Sequence, residues 1–134
     1  ILEQKEIQIQ WHFPIDLAVY GNHSLLTSIF RNLIENSIRY AGENIQVNIS
    51  LVNESEEFYY FSYYDTGLGV KDEEQLNRLF ERFYRVQEGR TRETGGSGLG
   101  LSIVKNAVLF HKGNISVKNR KGGGLEFLFN LRKQ

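Results

Sequence analysis

Between Phe58 and Tyr64 lie seven uncharged residues, six of them aromatic. Aromatic side chains on both parities suit a central strand covered on both faces. The run is far too short to cross a membrane, which takes roughly 20 apolar residues. Just upstream, Ile45, Val47, Ile49 and Leu51 alternate with Gln46, Asn48 and Ser50, the period-two pattern of a half-buried strand. The polar stretch Asn53 to Glu57 joins the two as the turn of a hairpin.

The rest of the chain arranges itself around this pair. Ile7, Ile9, Trp11 and Phe13 point one way and Gln8, Gln10 and His12 the other, an N-terminal half-buried strand closed by Pro14. Leu17 to Tyr20 is a short second strand or extended piece. Asn22 or Ser24 caps a helix that runs to about Ala41, where Gly42 stops it, with Leu26, Ile29, Phe30, Leu33 and Ser37 as its core stripe. Asp72 and Gln75 form a capping-box pattern that opens a short helix, with Leu76, Leu79, Phe80 and Phe83 on one face. Gly98 to about His111 is a third helix, with Leu101, Val104, Ala107 and Val108 facing inward. Two terminal strands, Asn114 to Asn119 and Leu125 to Leu131, are joined by Lys121-Gly122-Gly123-Gly124. Hairpin-paired strands with helices stacked on one face predict a two-layer α/β sandwich with a mixed, mostly antiparallel sheet. Strand and helix do not alternate, so the sheet is not doubly wound.

Composition narrows the function classes. The 134 residues make one domain, 1–134, large enough for a core without staples. Lys+Arg and Asp+Glu both number 16, which argues against a general nucleic-acid-binding surface. The absence of Cys excludes disulfides, thiol catalysis and zinc ribbons. His12, His23 and His111 are scattered, with no Ser/His/Asp grouping and no metal-ligand cluster, and His111 reads as structural. With no Met, the chain is expected to be a fragment of a longer protein.

Four features can carry chemistry. Asn32, Asn36 and Arg39 share a stripe on the long helix: Asn36 lies about 40° round from Asn32 and Arg39 about 20° to its other side. Amide oxygens beside a core suit a hard cation and Arg39 suits a phosphate, although a plain polar flank has the same pattern. Asp65-Thr66-Gly67-Leu68-Gly69 places an acceptor carboxylate at a strand end, followed by glycines that let the backbone approach a ligand. That arrangement suits an amino-bearing ring, and equally a simple turn. Gly95-Gly96-Ser97-Gly98-Leu99-Gly100-Leu101 has four Gly in six residues at a helix start, a ready phosphate cradle. It matches neither the Walker loop nor the dinucleotide fingerprint. Arg78, Arg82, Arg85, Arg90 and Arg92, five of nine Arg, lead into that loop; Glu81, Glu88 and Glu93 dilute them. Beside a phosphate cradle they suit a nucleotide clamp.

Taken together, the four resemble one family. Asn32-Leu33-Ile34-Glu35-Asn36-Ser37-Ile38-Arg39-Tyr40 looks like the N box of sensor histidine kinases, and Asp65-Thr66-Gly67-Leu68-Gly69 like their G1 box. Phe80-Glu81-Arg82-Phe83-Tyr84-Arg85 looks like the F box, and Gly96-Ser97-Gly98-Leu99-Gly100-Leu101 like the G2 box. The resemblance is to the catalytic, ATP-binding domain, whose wider superfamily includes the gyrase B subunit and MutL. It implies the Bergerat α/β sandwich, with ATP held between the N-box helix and a lid of about residues 84–97.

Carried over by position, Asp65 would accept the adenine amine, with Gly67 and Gly69 shaping that pocket and Tyr40 against the base. Asn36 would be the protein ligand to Mg²⁺, with Asn32 near the metal or phosphates. Arg39 would contact phosphate, and Arg82 and Arg85 would reach the γ-phosphate. Gly96, Ser97, Gly98, Leu99 and Gly100 would supply the lid hinge and backbone donors. Glu35 is a candidate base or polariser for the receiving histidine, though it sits about 100° from Asn36 and equally suits a surface position.

Hydrolysing relatives place a Glu one turn before the metal-binding Asn. Here Asn32 stands there and cannot take a proton at neutral pH, which implies ATP held with little hydrolysis. None of the three His resembles a phosphoacceptor. The implied partners are therefore dimerisation and phosphoacceptor helices of the same parent and a response-regulator receiver domain. No nucleic acid and no membrane contact are expected, and the domain is expected to be monomeric. It would be a cytoplasmic part of an inner-membrane sensor. The alternatives are an anti-sigma-type serine kinase of the same superfamily, which the Phe-Tyr-Arg ending of the F box disfavours, and a non-catalytic nucleotide-binding or docking module. Exposed Phe83 and Tyr84 would suit docking onto the missing helices.

Overall fold

The computed structural model describes residues 8–12, 23–76, 78–81 and 100–133. In chain order it contains β1 (Gln8–His12), α1 (His23–Tyr40), β2 (Gln46–Glu54), β3 (Phe58–Asp65), α2 (Glu73–Leu76), α3 (Gly100–Phe110), β4 (Ile115–Asn119) and β5 (Leu125–Arg132). The five strands form one sheet in the order β1-β2-β3-β5-β4. β1 runs parallel to β2 and every other pair is antiparallel, so the sheet is mixed, as the sequence implies. The expected strand at Leu17 to Tyr20 lies outside the described residues.

Helices α1 and α3 pack together over one face of the sheet. Ile29 and Leu33 of α1 and Val104, Ala107 and Val108 of α3 are buried against Val47, Ile49, Phe61, Tyr63, Phe127, Phe129 and Leu131. Aromatic pairs tie the layers: Phe61 stacks on its cross-strand partner Phe129 at 5.4 Å, and Phe30 of α1 meets both edge-on at 6.5 and 5.9 Å. α1 ends as expected, with Ala41 N–H donating to the Ser37 carbonyl and Gly42 leaving the helix at φ 109°.

Three local expectations change. β3 is central, but its helix-covered face carries Phe61 and Tyr63, while Tyr60 and Tyr64 lie half-buried on the other face among their sheet neighbours. There the Arg120 guanidinium, 4.2 Å from the Tyr64 ring centre, gives partial cover. Trp11 points toward the core side yet stays 51% exposed, because β1 is an edge strand and Trp11 rests tilted against Phe30 at 6.1 Å. The helix after Asp72 stops at Leu76 and continues as turns that bring Leu79 and Phe80 onto the core; Phe83 lies outside the described residues. Its start is capped as expected, Asp72 Oδ1 accepting from Glu74 N–H at 3.0 Å.

The structural reading of His111 agrees with its position. It is fully buried, and its Nδ1–H donates to the Ala107 carbonyl at 2.6 Å. No helix among the described residues is long and apolar enough to cross a membrane.

Candidate functional site

Asp65 is the last residue of β3 and is only 2% exposed. A buried carboxylate needs donors, and it has three. Its Oδ1 accepts from Gly67 N–H at 3.1 Å and Leu125 N–H at 3.3 Å, and its Oδ2 accepts from the Ser37 hydroxyl at 2.9 Å. A carboxylate offers roughly four acceptor positions, so these three donors leave one unused.

The turn after Asp65 is fixed against the start of β2 and against Ala41, the residue after α1. Thr66 N–H donates to the Gln46 carbonyl and Gln46 N–H to Thr66 Oγ1, while Leu68 N–H donates to the Ala41 carbonyl. Gly67 is required there: an added Cβ would stand 2.3 Å from the Ala41 oxygen and 2.4 Å from the Ala41 Cβ. Gly69 turns at φ 69° beside Asn119, whose amide clamps both the N–H and the carbonyl of Val70, at 2.9 and 2.7 Å. From the other side Gly124 closes on Asp65, where an added Cβ would lie 2.0 Å from its carbonyl oxygen.

The N-box stripe lies along the same helix. Asn32 and Asn36 are half-buried one turn apart, Tyr40 is half-buried at the helix end, and Glu35 and Arg39 are exposed. Asn32 Nδ2 donates to the Ser28 carbonyl at 2.8 Å, which leaves its Oδ1 free to face α3. A Cβ on Gly100, the first residue of α3, would stand 3.3 Å from that oxygen. Thus Asn32 borders the α3 N-terminus, where backbone N–H groups and the helix dipole favour an anion. Arg82, Arg85, Gly96, Ser97, Gly98 and Leu99 lie outside the described residues, as does the expected lid at 84–97.

The donor set bears on Mg²⁺. Two neutral amides suit a hard cation that takes one or two protein oxygens and the rest from phosphates and water. They do not make an all-protein cage, and the described residues contain no group of three or more His, Cys, Asp or Glu able to hold a metal.

Ser37, Tyr63, Gly124 and Leu125 belong to the surroundings of Asp65, and sequence reading gave none of them a role there. Ser37 reads there as one more position of the α1 stripe, and Tyr63 as one more aromatic of β3. A hydroxyl in an otherwise apolar stripe is the signal that would have marked Ser37. Burial pushes the Tyr63 phenol far up, and nearby Asp65 adds to the rise.

With this geometry in view, comparison with known proteins is specific. Residues 21–134 match the family described as histidine kinase-, DNA gyrase B-, and HSP90-like ATPase. The signal transduction histidine-protein kinase BaeS of Escherichia coli is 37% identical over 125 residues, covering 93% of this chain and 26% of BaeS. The chain therefore spans about a quarter of that relative's length. The mycobacterial sensor histidine kinase MprB has the same fold, with a TM-score of 0.82 and 24% identity over 99% of this chain and 88% of the MprB chain. ShkA, solved full-length in complex with AMPPNP, aligns with a TM-score of 0.76 and 29% identity over 98% of this chain and 27% of ShkA. The chain belongs to the histidine kinase-, DNA gyrase B- and HSP90-like ATPases, with sensor histidine kinases among its relatives.

Proposed function

We propose that residues 1–134 are the catalytic domain of a two-component sensor histidine kinase, which transfers the γ-phosphoryl of ATP to a histidine on separate dimerisation helices. The observation that carries this reading is Asp65, a buried carboxylate held by three donors with one acceptor position left for the adenine amine. Gly67 and Gly69 shape the base pocket and Tyr40 lies against the ring. The α3 N-terminus at Gly100, together with Arg39, Arg82, Arg85 and the backbone of Gly96, Ser97, Gly98 and Leu99, holds the phosphates. Asn36, with Asn32 beside it, would hold Mg²⁺, which would supply positive charge against the negative charge that develops on the phosphates during transfer.

In the transfer, an imidazole nitrogen forms a bond to the γ-phosphorus as the bond to the bridging oxygen breaks, and ADP leaves with that electron pair. This chain's work is positioning and charge stabilisation. Glu35, exposed beside Asn36, is available to polarise the incoming histidine. Asn32 carries no base to activate water, which spares the γ-phosphoryl for the histidine. A response-regulator receiver domain would then take the phosphoryl group. The need for ATP puts the domain on the cytoplasmic side of its parent, an inner-membrane sensor.

Calorimetric titration with AMPPNP and Mg²⁺, in the wild type and in Asp65→Asn, tests this reading. Saturable wild-type binding, weakened about 5- to 150-fold in the variant, is expected, since leaving a buried amine unsatisfied costs about 1–3 kcal/mol. A folded wild type that binds nothing would favour a docking module instead.

A further inference from the structure

The donor on Asp65 Oδ2 is itself held by a second hydroxyl. Ser37 Oγ, which donates to Asp65 at 2.9 Å, lies 2.7 Å from the Tyr63 hydroxyl, and Tyr63 lies 3.0 Å from the Leu33 carbonyl. All three side chains are buried: Ser37 is 1% exposed, Tyr63 0% and Asp65 2%. The chain of contacts runs from the backbone of α1, through β3, back to α1 and on to the end of β3.

Counting protons gives the chain a direction. Two hydroxyls carry one proton each, and the carboxylate accepts. The Ser37 proton goes to Asp65. The Tyr63 proton then lies between Ser37 Oγ and the Leu33 carbonyl, with Ser37 the nearer acceptor. A phenol donating to Ser37 polarises that hydroxyl toward Asp65 and strengthens the next bond. Burial keeps the phenol protonated, so the donor persists. The Tyr63 ring has little freedom to turn away, being packed edge-on against Phe127 at 6.1 Å.

We infer that Ser37 and Tyr63 are positioning residues for base selection: by fixing the Asp65 carboxylate they aim its remaining acceptor position at a purine 6-amino group, and so set the preference for adenine over 6-oxopurine nucleotides. The inference rests on the adenine reading of Asp65 proposed above. A 6-oxo group presents an acceptor where Asp65 also presents one, and two facing acceptors repel. A carboxylate free to rotate would relieve that repulsion and aim less well at an amine. Rigidity of the carboxylate is therefore the source of discrimination.

The test is a ratio. Dissociation constants for AMPPNP and for its inosine counterpart, both with Mg²⁺, are measured by calorimetry in the wild type, Tyr63→Phe and Ser37→Ala, with melting curves as a check on folding. The wild type should prefer adenine. Tyr63→Phe should narrow the preference by about three- to tenfold, and Ser37→Ala, which removes the donor to Asp65, by at least as much. A purely structural role would weaken both nucleotides together. A wild-type preference left unchanged in the folded variants would therefore overturn the relay while leaving the adenine reading intact. A wild type that binds both nucleotides equally would overturn the adenine reading, and the relay with it. If Tyr63→Phe does not fold, Ser37→Ala decides the matter alone, since it removes a single oxygen from a position where Ala suits the helix.

Discussion

Gly124 and Gly122 sit two residues apart in the β4–β5 turn with similar backbones, at φ +89° and +97°, and so provide a matched pair. Alanine at either must adopt a positive φ, at a cost of about 1–2 kcal/mol. Their surroundings differ sharply. A Cβ at Gly122 meets nothing nearer than the Arg120 guanidinium at 3.8 Å, ordinary contact with the far end of a flexible side chain. A Cβ at Gly124 would stand 2.0 Å from the Asp65 carbonyl oxygen and 2.6 Å from its Oδ1. The Asp65 backbone cannot yield easily, because β3 is paired on both sides, with β2 and β5. Overpacking of this kind adds about 1–3 kcal/mol. Gly122→Ala should therefore lose about 1–2 kcal/mol and Gly124→Ala about 2–5 kcal/mol. Urea unfolding, with linear extrapolation at equal m, reads the difference. Binding of AMPPNP supplies a second readout: Gly124→Ala displaces Asp65 Oδ1 and should weaken it, whereas Gly122→Ala should bind as the wild type does. Equal destabilisation in the two variants, with equal affinity, would refute the view that Gly124 holds Asp65 in place.

Asn32→Glu should raise the basal ATP hydrolysis rate of the isolated domain, measured by phosphate release, because it places a base one turn before Asn36; an unchanged rate would remove the argument that Asn32 protects the γ-phosphoryl. The raised Tyr63 phenol makes stability depend on alkaline pH. The unfolded chain releases that proton near the ordinary tyrosine value of about 10 and the folded chain only well above it, so the contribution is complete below about pH 10 and lost as pH rises further. Wild-type stability should thus fall more steeply than that of Tyr63→Phe above about pH 10, by up to roughly 1.4 kcal/mol per pH unit, and the two curves should run parallel below it.

Local pattern made most of the framework legible. The alternation from Ile45 to Leu51 and the apolar stripe through Ile29 and Leu33 report faces that a single element must bury, and both faces are buried. The outcome at Trp11 was not legible, because period two gives the side a residue faces and not whether its strand lies at a sheet edge. Similarly, the aromatic run of β3 revealed its central place but not that, among the described residues, helices cover one face alone. The site divides along the same line. Asp65, Gly67 and the Asn32 stripe were recoverable because short-range motifs carry them. Ser37, Tyr63 and Gly124 were not, because each matters through a contact with Asp65 that only the folded sheet and α1 create. Leu125 is the extreme case: its role is a backbone N–H sixty residues from its acceptor, invisible in any side-chain pattern.

The most direct test of the account follows the two backbone amides that share Asp65 Oδ1. In a ¹⁵N-labelled sample titrated with AMPPNP and Mg²⁺, the Gly67 and Leu125 N–H signals should shift in step with saturation, because a ligand amine arriving at Asp65 redistributes the charge to which both donate. Gly113 N–H, bonded to the Val108 carbonyl at the far end of α3, should stay in place. Saturable binding that leaves Gly67 and Leu125 unmoved would contradict the claim that Asp65 receives the base.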